Sequence, residues 1–292
     1  MISKLSKGEI RLLLAKRSKE NIKLLSLTEK CLRDTRGYVF KMPRRGTSVV
    51  TGMSGGADST VTTAILMEDF GLEVYPFFVN RGQRALMYEI KSLNDYSKMF
   101  KRKYGSLFNK PVILNIPNPA VEIKKDLTEK LRHDVGHPMR NSIINEYAVQ
   151  YAFSLENHGK IVRDIFCSIV PSDGDYMYHS TLTALRSQTL HTIIDMGDKS
   201  WQIASIPVER EMGYYFDKDF LVKWAYDHNL TLERTRTCVE GSKKHCGICE
   251  CCYDRKRSFE EACIIDKTEY IDNRKSSEVK LLIESNLKAQ KL

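Results

Sequence analysis

Thr47-Ser-Val-Val-Thr-Gly-Met-Ser-Gly-Gly-Ala-Asp-Ser-Thr60 is an apolar run that breaks into a turn of small residues. Val61 to Phe70 then continues at helical spacing. A strand, a turn of Ser54, Gly55 and Gly56, and a helix opening near Ala57 to Ser59 would gather free backbone N–H groups and a positive helix end at one point. A phosphate fits there. Two glycines permit close backbone approach and a positive φ. Ser54, Ser59 and Thr60 add hydroxyls, and Asp58 is placed to hold Mg²⁺ beside the phosphate.

The turn is not a Walker A loop, because no Gly-Lys-Ser/Thr follows at the required spacing. As a unit, Ser-Gly-Gly-x-Asp-Ser resembles the PP-loop of the N-type ATP pyrophosphatases, which split ATP between its α and β phosphates and adenylate a substrate. Working outward, apolar and helical stretches alternate: strand 47–53, helix 57–70, strand 73–79, helix 86–104 and strand 111–116. Further on come a helix over 140–157, a β-rich run 160–170, a helix 180–196, a strand 201–206 and a helix 217–228. This order predicts right-handed crossovers and an open α/β fold, a parallel sheet with helices on both faces. Ligands of such sheets sit beyond the carboxyl ends of the strands, where the Ser54–Ser59 turn falls. The polar stretch 117–137, with Pro117, Pro119 and Gly136, is expected to be a loop or short helical excursion covering the site.

The chain has 292 residues, 42% of them hydrophobic and 28% charged, an ordinary balance for a globular protein. It has no run of 18 apolar residues and no signal-peptide core, so neither membrane insertion nor export is expected and the chain reads as cytoplasmic. The net charge of +9 lies wholly within residues 1–48, which hold 13 Lys/Arg against 4 Asp/Glu and leave 33 of each sign in the remaining 244. The body therefore gives no support for a nucleic-acid partner. The basic arm suits phosphates, an acidic partner protein or plain solvent.

Five of the eight cysteines crowd between 238 and 252. Without an export signal, such crowding points to metal rather than disulfides. Cys238, Cys246, Cys249 and Cys252 supply four thiolates with two tight two-residue gaps, and four sulfurs make a closed, structural zinc site. Cys251 competes with Cys252 for the fourth place, and an iron–sulfur cluster is the rival occupant. Arg255 to Ala262 reads as a short helix returning this knuckle to the body. The expected division is a basic accessory segment 1–46, an ATP pyrophosphatase domain 47–232, a zinc knuckle 233–265 and a charged tail 266–292.

Loop and knuckle in this order resemble the 7-cyano-7-deazaguanine synthases, the QueC family, over about residues 48–265. Gly82-Gln83-Arg84 matches the family's Gly-Gln-Arg, and Pro138-x-Arg140-Asn141 its Pro-Ala-Arg-Asn. Asp173 stands where the family has an acidic residue, Lys218 precedes Cys238 by the family's twenty residues, and Arg257 to Ala262 is similar to Arg-Gly-Phe-x-Glu-Ala. The resemblance implies an ATP-dependent, AMP-forming ligase that activates the carboxylate of a 7-deazaguanine and passes it to a nitrogen nucleophile. Ser54 to Ser59, Gln83, Arg84, Arg140 and Asn141 would bind the nucleotide, and Asp58, Asp173, Lys218 and Arg140 would act in catalysis. ATP, Mg²⁺ and structural Zn²⁺ are the implied cofactors, and a homodimer the implied assembly.

The chain also departs from the family. The family's Asp-Tyr before Gly-Gln-Arg is Asn80-Arg81 here, its Tyr-Pro-Asp-Cys-Arg loop is Met177 to Thr181, the glutamate two after the lysine is Phe220, and the basic arm lacks a counterpart. The acceptor is therefore open: ammonia, giving an amide and then a nitrile, or a protein amine, as in QueC-like enzymes of antiviral operons. A tRNA-modifying sulfurtransferase would need a reactive thiol, for which Cys167 is the candidate outside the knuckle. A nucleotide-binding scaffold without turnover is the remaining alternative.

Overall fold

Strand β1 (Ser48–Gly52) pairs in parallel with β2 (Glu73–Asn80) on one side and β4 (Asp164–Cys167) on the other. β3 (Val112–Asn115) and β5 (Gln202–Ser205) flank these, giving the all-parallel order β3-β2-β1-β4-β5. The computed structural model describes residues 4–127 and 137–290. The expected α/β sheet is present. Residues 128–136 of the stretch foreseen as a covering loop lie outside the described residues.

Alternation along the strands divides the core into two layers. Val49, Val74, Phe78, Phe166 and Ala204 point to one face. There they meet α3 (Ala57–Glu68), α4 (Leu86–Tyr104) and α8 (Lys218–Asp227). Val50, Phe77, Ile165 and Ile203 point to the other. That face is covered by α6 (Arg140–Ser154), α7 (Leu182–Asp195) and two N-terminal helices, α1 (Lys7–Leu14) and α2 (Ile22–Arg36). A short turn, α5 (Val121–Lys124), follows β3.

The basic N-terminal segment is built into this second layer. Ile10, Leu14, Leu25 and Leu32 are buried against the sheet's helices. Ser6 and Glu9 form a capping box at the start of α1, Asn21 caps α2, and Gly37 ends it at φ 83°. Buried Glu29 of α2 pairs with Arg186 of α7 at 3.5 Å and with Arg210, while Arg186 is bidentate to buried Glu209 at 2.6 and 2.9 Å. The cations that give the segment its charge lie mostly on its exposed side.

Helix α9 (Glu250–Glu261) starts five residues earlier than the sequence suggests, inside the cysteine cluster, and α10 (Ser276–Gln290) ends the described chain. Among the described residues, no helix is long and apolar enough to cross a membrane.

Candidate active site

Sheet order reverses between β1 and β4, so the loops leaving these two strands diverge and open a crevice at their carboxyl ends. The first loop is Met53 to Gly56. Gly55 takes φ 77°, and a side chain there would meet the Glu89 carbonyl at 2.7 Å, so only glycine fits. The Gly55 carbonyl accepts from Ser92 Oγ at 2.7 Å and from the Arg236 amide at 2.8 Å, which pins the turn from two sides. Gly56 precedes α3 without a side-chain cap, leaving the first-turn amides to an external acceptor. Ser54 and Ser59 hydroxyls lie 3.0 Å apart beside them.

Lys218, the first residue of α8, reaches into this turn. Its Nζ is 3.9 Å from Asp58, 3.2 Å from Asp173 and 3.1 Å from Asp254. Burial works against the ammonium, but these carboxylates hold its pKa well above the ordinary lysine value. Burial raises the Asp58 carboxyl, Lys218 opposes the rise and Asp173 and Asp254 add to it, leaving it at about 6. Three carboxylates around one ammonium leave a surplus of negative charge. A polyanionic nucleotide cannot settle there without a cation, and the oxygen donors suit Mg²⁺.

The crevice encloses about 430 Å³ and has two characters. Its polar end carries Ser54, Asp58, Ser59, Asp173 and Arg140, and its apolar wall comprises Phe77, Phe78, Ile144, Phe166 and Ile169. Arg140 opens α6, and Asn141 holds Ser180 Oγ at 3.0 Å, tying that helix to the loop after β4. Arg81 also faces the cavity; burial lowers the pKa of both guanidiniums, and the two repel each other. Among the described residues no carboxylate lies within ion-pair distance of either, Glu89 and Asp173 acting on them only from further off, so an anion entering the cavity meets two guanidiniums.

Of the residues singled out by the sequence, Ser54, Gly56, Ala57, Asp58, Ser59, Gln83, Arg140, Asn141 and Asp173 line one cavity. Gly55 is buried behind it, and Lys218 joins through its ion pairs. Arg84 stands apart: it is 79% exposed and pairs with Glu240 at 3.6 Å. Gln83 also organises its own turn, accepting from the Arg81 amide at 2.8 Å and donating to the Val79 carbonyl at 3.3 Å. Cys167 lines the cavity, but burial pushes its thiol up to about 11, the reverse of an activated sulfur nucleophile. His179 is pushed down to about 4 by burial and then by Arg140, so it is neutral at pH 7.

Sequence reasoning missed Asp254 and Arg236. Asp254 lies on α9, thirty-six positions from Lys218, and no local spacing marks it. Arg236 sits two residues before the first clustered cysteine, which was its one available signal. Its Nε donates to the Cys238 carbonyl at 3.0 Å while its amide holds Gly55, so it joins the cysteine loop to the phosphate turn.

The sulfurs of Cys238, Cys246, Cys249 and Cys252 all lie within 4.8 Å of one another, and Cys251 is outside the group. Two of the separations are 3.8 and 4.0 Å. A tetrahedron with metal–sulfur bonds of about 2.3 Å has edges of about 3.8 Å, so the cage fits a single ion. A multinuclear cluster would hold the sulfurs further apart. The Cys246 and Cys249 amides donate to the Cys238 and Cys246 sulfurs, each at 3.3 Å, which favours thiolates. Gly247, at φ 85°, packs so closely on the Asp272 backbone that no side chain fits. Lys256 then knits Gly247, Asp272 and Arg274 carbonyls together at 3.0, 2.9 and 2.7 Å.

A family model described as "Queuosine biosynthesis protein QueC" matches residues 48–263. The chain belongs to the QueC family. It is 29% identical over 229 residues to the 7-cyano-7-deazaguanine synthase of Acetivibrio thermocellus, covering 75% of this chain and 96% of that one. It is 25% identical over 237 residues to the 7-cyano-7-deazaguanine synthase of Methanosphaera stadtmanae, covering 76% and 97%. A weaker likeness, TM-score 0.34 and 15% identity over 71% of this chain and 65% of the other, is to the U34-tRNA thiolase NcsA from Methanococcus maripaludis with its [4Fe-4S] cluster. At that level it carries no argument about the four-cysteine group of this chain. At these identities the chain is a divergent member, and Arg81, Met177 and Ser180 line its crevice. Residues 1–47, including α1 and α2, precede the span matched by the QueC model.

Proposed function

We propose that this QueC-family protein is an ATP-dependent, AMP-forming ligase acting on the carboxylate of a 7-deazaguanine. The observation that carries the reading is the meeting of Lys218, Asp58 and Asp173 at the open turn Ser54–Ser59, beside an apolar wall broad enough for a flat base. The Ser54–Ser59 amides and hydroxyls receive the β and γ phosphates, with Lys218 and Arg140 balancing charge on the departing pyrophosphate. The carboxylate oxygen attacks the α phosphorus, the bond to the bridging oxygen breaks, and an acyl adenylate and pyrophosphate result. A nitrogen nucleophile then takes the acyl group and AMP leaves with its electron pair. With ammonia the product is an amide, which a second activation can dehydrate to a nitrile; with a protein amine the reaction stops at a conjugate. Rate comes from positioning and charge stabilisation rather than a covalent protein intermediate.

Asp58 and Asp173 would hold Mg²⁺, which supplies charge neutralisation to the phosphates. The four clustered thiolates would hold Zn²⁺ as a structural ion; Cys252, rather than Cys251, completes the cage. The division at 46, 232 and 265 and the homodimer belong to the same proposal. The homodimer rests on family resemblance alone, and light scattering tests it.

Incubation with ATP, Mg²⁺ and 7-carboxy-7-deazaguanine is the direct test. Pyrophosphate release that depends on the acid is expected, and mass spectrometry separates free nitrile or amide from modified protein. Pyrophosphate release indifferent to the acid, or none, would defeat the reading. Asp58→Ala should lower release by on the order of 10²–10³-fold, as loss of a single charge-stabilising group does.

A further inference from the structure

The wall of the crevice contributed by the loop after β4 is held from outside the region shared with QueC relatives. This wall runs from Pro171 to Thr183 and carries Asp173, Tyr176, Met177 and Ser180 into the cavity. Its own backbone bonds are short-range turns: the Tyr176 and Met177 amides reach the Asp173 carbonyl, and the Ser180 amide reaches Met177. Such 3₁₀-type turns are weak on their own. What fixes them is the α1–α2 hairpin, residues 15–21.

Four consecutive residues of that hairpin grip both ends of the wall. Arg17 Nη1 lies 2.6 Å from Asp175 Oδ2, and its Nε donates to Tyr215 Oη at 3.1 Å. Ser18 donates from its amide to Asp175 Oδ1 at 3.2 Å and from its hydroxyl to the Asp175 carbonyl at 2.7 Å. The Lys19 amide donates to the Gly174 carbonyl at 3.0 Å, and its ammonium lies 4.9 Å from the centre of the Tyr178 ring. Glu20 accepts from the Leu182 and Thr183 amides, each at 2.9 Å, and from the Thr183 hydroxyl. The hairpin touches residues 174, 175, 178, 182 and 183, and leaves Tyr176, Met177 and Ser180 free to face the cavity.

The grip extends to the lysine. Asp217 caps α8, accepting from the Lys218 amide at 2.9 Å and from Ser172 Oγ at 2.6 Å, while Arg17 Nη2 stands 3.9 Å from its other oxygen. One guanidinium therefore spans the loop bearing Asp173 and the cap that presents Lys218. These are charge-assisted contacts in a partly buried setting, the stronger class of hydrogen bond.

We infer that residues Arg17 to Glu20 are positioning residues of the synthase site: they set the shape of the acceptor-facing wall and thereby select the non-nucleotide substrate. The identity of that substrate rests on the function proposed above. The hairpin touches no residue of the Ser54–Ser59 turn, so it reaches the nucleotide end only indirectly, through the loop of Asp173 and the Asp217 cap of Lys218.

The test uses the full chain with Arg17→Ala and Glu20→Gln, Arg17→Lys as the conservative variant, and Lys7→Ala as a control that removes only the exposed Lys7–Glu211 pair. In Arg17→Ala and Glu20→Gln, amide exchange across 172–183 should quicken, and KM for 7-carboxy-7-deazaguanine should rise at least about tenfold, within the roughly hundredfold that a 1 Å misplacement costs. Affinity for a non-hydrolysable ATP analogue should change far less than that KM, Arg17→Lys should recover part of the KM, and Lys7→Ala should change nothing. A global loss of folded protein would lower kcat and leave KM alone. Unchanged exchange in 172–183, or faster exchange with an unchanged KM, would overturn the inference. If the wild-type chain releases no pyrophosphate with this acid, the substrate reading falls. The exchange of 172–183 with the ATP analogue bound still decides whether the hairpin orders the wall.

Discussion

Asp58 carries opposing demands. In the fold its carboxyl sits at about 6 against an ordinary 3.8, so the folded chain prefers the protonated form. That contribution is full below about pH 3.8 and is lost as pH rises through 6. Asp58→Asn is therefore expected to raise the melting temperature of the nucleotide-free protein at pH 7, with the gap to wild type closing below pH 4, while pyrophosphate release collapses. Stability given up for function is what such a site predicts. Lys218→Met should act in the opposite sense: it leaves Asp58 and Asp173 without their cation, Asp254 keeping Arg257 at 3.5 Å, and should cost about 3–5 kcal/mol at pH 7 by analogy with broken buried pairs. Urea unfolding at pH 7 and pH 5 checks this, the deficit shrinking at pH 5 as a carboxylate takes up a proton. Asp58 was readable from the Ser54–Ser59 turn itself, and Asp173 and Lys218 only through the resemblance to the QueC family. Asp254 was not, because a contact made across two helices leaves no periodic trace in the chain.

Elements were legible where local chemistry and burial agree. Helix α4 begins and ends where its apolar spacing does, and β1 with its turn could be placed within a residue or two. Helix α9 was read as shorter than it is, because Cys249, Cys251 and Cys252 suggest a turn while Cys249 in fact precedes its first residue. In α1 and α2 the charge was legible, but not the stripe of Ile10, Leu14, Leu25 and Leu32 that seats them. The buried Arg186 joining α2 to the body is testable in the same terms. Arg186→Met strands Glu209 in the core, Glu29 keeping Arg210, and should cost about 3–5 kcal/mol in denaturant unfolding, whereas replacing Arg186 and Glu209 together with apolar residues should recover most of the loss.

At the scale of the molecule, the cysteine cage and the crevice share parts. Helix α9 carries Cys252 and, two residues on, Asp254, while Arg236 links the Cys238 carbonyl to Gly55. Elemental analysis is expected to find one zinc per chain without the visible absorption of an iron–sulfur centre. Stripping the metal from wild type, or mutating Cys246→Ser, should weaken ATP-analogue binding as well as protection around residues 238–272. The strand order has a different consequence. Because β1 and β4 are neighbours yet send their loops apart, the two walls of the crevice hang from separate strands. The turn proposed to hold ATP and the wall proposed to face the acceptor are thus mounted on different strands. A substitution within Met177–Thr181 can therefore reshape one wall without displacing the Ser54–Ser59 turn on the other.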